Sequence, residues 1–92
     1  VRIYTDEIIN AICLNIAERR GVSPTDVEVQ LSWEEEYGYT AEVWVNGRSQ
    51  YIIEANILEA IEQYIFKQYN RRVFRSNITL DADEQFWADI SD

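Results

Sequence analysis

The chain has 92 residues, 17 acidic and 8 basic, no histidine and a net charge of −9. Hydrophobic residues make up 47% of it and aromatics 13%, too much apolar content for a disordered acidic tail, so the length describes one folded domain, residues 1–92. With no histidine and a single cysteine, Cys13, an intrachain disulfide, a zinc finger, a Ser-His-Asp triad and histidine-ligated haem are all excluded, and the expected compartment is the reducing cytoplasm.

The first element reads as a helix over residues 6–20. Ile8, Ile9, Ile12, Cys13, Ile16 and Ala17 recur at helical spacing and give one apolar face. Thr5 is the expected N-cap, Asp6 and Glu7 suit the positive end of the helix dipole, and Tyr4 is placed to staple onto Ile9. Arg19 and Arg20 suit the opposite end, and Gly21 offers the left-handed residue that stops the helix. Ser23-Pro24 then opens a short capped helical turn.

From Val27 the period changes to two. Val27, Val29, Leu31 and Trp33 alternate with Glu28, Gln30, Ser32 and Glu34, as in a strand covered on one face. Glu36, Tyr37 and Gly38 form the expected hairpin loop, which sets Trp33 opposite Ala41, Leu31 opposite Val43 and Val29 opposite Val45. Asn46-Gly47 is the strongest turn signal in the chain. A two-residue loop there pairs Val45 with Arg48 and turns Gln50 and Ile52 inward. A three-residue loop ending at Gly47 pairs Val43 with Ser49, Ala41 with Tyr51 and Tyr39 with Ile53. The second is preferred, because it keeps Tyr51 and Ile53 inside and lets Trp44 lie against Arg48 outside.

A second helix is expected over residues 57–69, with Asn56 and Glu59 at capping-box spacing and Ile57, Leu58, Ile61, Tyr64, Ile65 and Tyr69 on its buried face. Asn70 ends it. Ile78 and Leu80 alternate as a strand, residues 81–85 are turn-rich, and residues 86–90 return as the last strand. The fold class is α+β, order α-β-β-β-α-β-β, an antiparallel sheet with both helices on one face. Apolar runs are only a few residues long, so no membrane span is expected.

The element order resembles that of the double-stranded RNA-binding domain. That domain places a lysine cluster near the start of its second helix, where residues 56–62 carry Glu59 and Glu62 and no base. RNA binding is therefore not expected, and the acidic balance argues equally against duplex DNA and anionic lipid. A closer resemblance rests on Glu7-Ile8-Ile9-Asn10-Ala11-Ile12-Cys13, Asp26-Val27-Glu28-Val29, Tyr37-Gly38, Ala41-Glu42-Val43, Val45-Asn46-Gly47-Arg48, Ile53-Glu54-Ala55-Asn56 and Glu59-Ala60-Ile61. Over roughly residues 6–66 these motifs resemble a small acidic bacterial family of uncharacterised function, the YxcD-like family. The resemblance implies a small bacterial domain and no activity, cofactor or catalytic residue.

Each candidate site has a plainer explanation beside it. Cys13 lies in the apolar stripe of the first helix with no histidine to activate it, so it reads as structural. Glu34-Glu35-Glu36 and Asp81-Ala82-Asp83-Glu84 have carboxylates suited to a divalent cation, but an EF-hand loop starting at Asp81 needs glycine where Phe86 stands, and a solvated cluster is the better reading. Glu42 and Glu54 are the candidate acid/base carboxylates of an alternative carboxylate-based enzyme or small-ligand binder. Lys67, Arg71, Arg72 and Arg75 form a basic stretch, and residues 81–92 carry five acids without a base. Seven of the eight basic residues are arginine, the better partner for fork-shaped carboxylate pairing. Trp44, Ile52, Tyr37 and Phe66 fall off the expected core faces. The leading expectation is a non-catalytic domain acting by protein–protein contact, without cofactor, as a homodimer. Its interface is expected at Trp44, Ile52 and Arg48, oriented by Arg71, Arg72 and Arg75.

Overall fold

The computed structural model describes residues 1–91, and the last acidic residue, Asp92, lies outside the described residues. In chain order it has β1 (Arg2–Tyr4), α1 (Thr5–Arg20), a 3-10 turn (Pro24–Asp26), β2 (Val27–Glu34), β3 (Gly38–Val45), β4 (Arg48–Ile53), α2 (Glu54–Tyr69), a second 3-10 turn (Arg75–Asn77), β5 (Ile78–Ala82) and β6 (Phe86–Ile90). The α+β class and the order of the expected elements therefore stand. Two helix ends follow directly from residue chemistry. Gly21 stops α1 at φ 68° and Asn70 stops α2 at φ 56°, both in the left-handed region.

The strands do not form one sheet. They form two antiparallel three-stranded sheets, ordered β2-β3-β4 and β1-β6-β5. The reason is β1, a strand too short to show an alternating pattern. Ile3 pairs with Ala88, so the β5–β6 hairpin finds its third strand near the start of the chain instead of extending the other sheet. Thr5 is recruited to this second sheet as well. Its hydroxyl donates to the Phe86 carbonyl at 3.2 Å and accepts from the Phe86 N–H at 3.0 Å, while Tyr4 takes the N-cap position expected of Thr5. The α2 helix likewise starts three residues before the expected Ile57, because Asn56 reaches back and accepts from the N–H of the N-cap Ile53 at 3.1 Å.

Both helices cover the inner faces of the sheets. Ile8, Ile12 and Ile16 of α1 and Ile57, Ile61 and Ile65 of α2 join Val43 and Ala41 of one sheet and Ile3 and Ala88 of the other in one apolar cluster. Polar pairs cross the seam between the helices. Asn15, buried, donates to Gln63 Oε1 at 2.8 Å, and the hydroxyls of Tyr64 and Tyr69 donate to Glu7 Oε2 at 2.9 and 2.7 Å. Lys67 pairs with Glu18 at the same seam. Tyr39 meets Phe86 edge-on, with ring centroids 6.1 Å apart, and so joins the two sheets. No outward-pointing residue of β2, β3 or β4 is buried.

Candidate functional site: the outer face of the β2-β3-β4 sheet

Two turns decide which residues face out. Asn46 and Gly47 both have positive φ, 52° and 79°, as a two-residue hairpin turn of primed type requires. Val45 therefore pairs with Arg48, Ala41 with Ile52 and Glu42 with Tyr51. This is the shorter of the two loops open to the sequence, and it corrects the preferred one. Ile52 turns inward and is only 9% exposed, while Tyr51 and Ile53 turn outward and are 69% and 60% exposed. Trp44 lies opposite Ser49, not against Arg48. The first hairpin is also shifted, by two residues. Glu34 pairs with Gly38, so the loop is Glu35, Glu36 and Tyr37, and the core pairs become Val27–Val45, Val29–Val43 and Leu31–Ala41. A shift of two keeps every residue on its face, whereas the one-residue shift in the second hairpin inverts the whole of β4.

The result is an open groove of about 380 Å³ on the outer face, lined by Glu34, Tyr37, Thr40, Tyr51 and Ile53. Apolar rings and an aliphatic chain form its walls, and carboxylates stand beside them. The negative charge of Glu42, opposite Tyr51, pushes the Tyr51 hydroxyl above its ordinary pKa, and Glu34 adds to the shift. An anionic field over aromatic rings is an arrangement that attracts cations.

A second exposed surface carries more basic charge. A pocket of about 200 Å³ is lined in part by Glu62, Phe66, Lys67, Arg72 and Phe74. Phe66 and Phe74 are exposed, and the Arg72 guanidinium lies 5.6 Å from the centre of the Phe66 ring. Val73, buried between Arg72 and Phe74, anchors the segment.

The interface residues expected from the sequence fall in different places. Trp44 is on the outer face and half-buried, and Arg48 is exposed at the start of β4. Ile52 is a core residue, because the Asn46-Gly47 turn fixes its side, and it is removed from the candidate surface. Arg71 is half-buried beyond α2 and Arg72 is exposed. Arg75 meets an acidic surface, but that of α2, at 3.3 Å from Glu59 and 3.2 Å from Glu62. Tyr51 and Ile53, expected inward, are surface residues, and the Asn46-Gly47 dipeptide is the signal that places them there.

The other candidates resolve locally. Cys13 is half-buried with Sγ 3.5 Å from the Val27 carbonyl oxygen, and burial pushes its thiol pKa up, away from reactivity. Asp81 Oδ1 accepts from the Ala82 N–H at 2.8 Å, a local bond at the end of β5. Among the described residues, no group of three or more cysteines and carboxylates is placed to hold a metal ion. Glu54 begins α2 and is exposed, while Glu42 faces out from β3. No helix among the described residues is long and apolar enough to cross a membrane.

The family model described as "Protein of unknown function (DUF2653)" matches residues 1–85, most of the chain. No curated protein and no solved structure matches.

Proposed function

The chain belongs to the DUF2653 family, and from that premise we propose that it is a non-catalytic interaction domain that self-associates through the outer face of β2, β3 and β4. The reading includes the finer expectations from the sequence: a bacterial, YxcD-like protein working in the cytoplasm as a homodimer. One observation supports it most. Tyr37, Tyr51 and Ile53 are held out to solvent around one groove, although each would contribute more to stability if covered. Large apolar side chains gathered on one face are the composition of an interface centre.

The shape of the groove favours a protein over a small molecule. Small-ligand sites enclose most of the ligand surface, whereas these three side chains are each at least 60% exposed. A broad opposing surface covers such a face better than a compact ligand does. Oligomerisation also suits a chain of this length, which buries only about 60–70% of the surface its unfolded form exposes.

Sedimentation equilibrium of the wild type and of a variant carrying Tyr51→Ser and Ile53→Ser tests the reading. A dimer that falls apart in the variant supports it. A wild type that remains monomeric at high micromolar concentration overturns it.

A further inference from the structure

We propose that the groove formed by Tyr37, Tyr51 and Ile53 receives Arg72 and Phe74 from a second copy of the chain. The inference rests on the self-association reading and specifies which surface meets the groove. Each copy has a net charge of −9, so two copies repel at long range, and a stable contact needs a local patch of opposite sign. The groove supplies the negative partner. Glu34 lines it, and Glu42 stands opposite Tyr51 on the same outward face.

The positive partner follows from where the cations sit. Arg2 is bound to Asp89, Lys67 to Glu18, and Arg75 to Glu59 and Glu62. Arg72 is exposed, as are Arg19, Arg20 and Arg48, and none of the four has a carboxylate partner among the described residues. Of these, Arg72 is the one that rests on an aromatic ring, that of Phe66. Phe74 stands beside Arg72 at 61% exposure, with buried Val73 holding the segment between them. A guanidinium pairs with carboxylates in a planar fork and stacks on aromatic faces. Glu34, Glu42, Tyr37 and Tyr51 together offer both contacts, and Ile53 offers Phe74 an apolar neighbour. In a two-fold dimer a groove-to-patch contact occurs twice, once in each direction, so each substitution acts on both contacts.

A charge-swap series read by sedimentation equilibrium tests the inference, with thermal melts confirming that each variant folds. Arg72→Glu and Glu34→Arg, each alone, are expected to weaken the dimer at least roughly tenfold, and the chain carrying both is expected to recover most of the affinity. Phe74→Ser is expected to weaken it without altering the salt dependence, whereas Arg72→Gln removes much of that dependence. A wild-type dimer unchanged by Arg72→Glu and Phe74→Ser overturns this inference and leaves self-association standing. A lack of recovery in the doubly swapped chain also overturns it. A monomeric wild type overturns both.

Discussion

Glu42 and Tyr51 stand directly opposite each other on β3 and β4, side chains outward, and the carboxylate holds the phenol above its ordinary pKa. The raised direction follows from charge: a neighbouring anion disfavours the phenolate. Glu42→Gln is therefore expected to lower the Tyr51 pKa toward that of a free tyrosine. Ring carbon chemical shifts followed through an alkaline titration read Tyr51 separately from the other tyrosines. A Tyr51 that titrates identically in both proteins contradicts the register on which the groove depends.

The same register separates two adjacent isoleucines. Ile52 is buried and Ile53 exposed. Truncating a core isoleucine to alanine costs about 2–5 kcal/mol, whereas an exposed one changes stability by about 0.5 kcal/mol or less. Urea denaturation, at concentrations low enough to keep the chain monomeric, should show Ile52→Ala strongly destabilised and Ile53→Ala close to wild type. The opposite order would restore the three-residue loop.

Much of the fold is legible in the sequence because local signals and burial agree there. The face of α1, the stops at Gly21 and Asn70, and the alternation from Val27 to Leu31 appear where their residue types require, whereas Trp33, expected on the covered face, is 53% exposed near the end of β2. The β4 register is different, because two local signals conflict. Tyr51 and Ile53 are apolar and argue for an inward position, while Asn46-Gly47 argues for a two-residue turn. Turn geometry prevails, since both turn residues adopt positive φ, and the apolar pair is left outside. A conflict of that kind between pattern and turn chemistry marks a candidate functional surface. The second sheet was unreadable for another reason. Its third strand is Arg2–Tyr4, paired with residues more than 80 positions away, and no local pattern encodes that contact. The seam bond from Asn15 to Gln63 was hidden as well, because a polar residue beside an apolar stripe reads as solvent-facing until its partner is known.

On the outer face of that second sheet, Arg2 Nε donates to Asp89 Oδ1 at 2.6 Å and Nη2 donates to Oδ2 at 2.9 Å, a two-pronged pair beside the Trp87 ring. The hydrogen bonds from Arg2 hold the Asp89 carboxyl below its ordinary value of 3.8. A carboxyl depressed in the folded state adds stability above its unfolded pKa and loses it as pH falls through the folded one. This contribution should therefore be fully present at neutral pH and disappear in acid, below about pH 4. Asp89→Asn removes it, so the melting temperatures of the two proteins should converge as the pH is lowered. A gap that persists unchanged in strong acid would show that the pair contributes nothing through charge.

The most direct measurement of the central claim is hydroxyl-radical footprinting over a dilution series. Self-association through the outer face predicts that Tyr37, Tyr51 and Ile53 are protected at high chain concentration and become reactive on dilution. Trp87, on the other sheet, should keep a constant reactivity throughout. Equal reactivity of Tyr51 and Ile53 at every concentration at which the chain is dimeric would contradict the account.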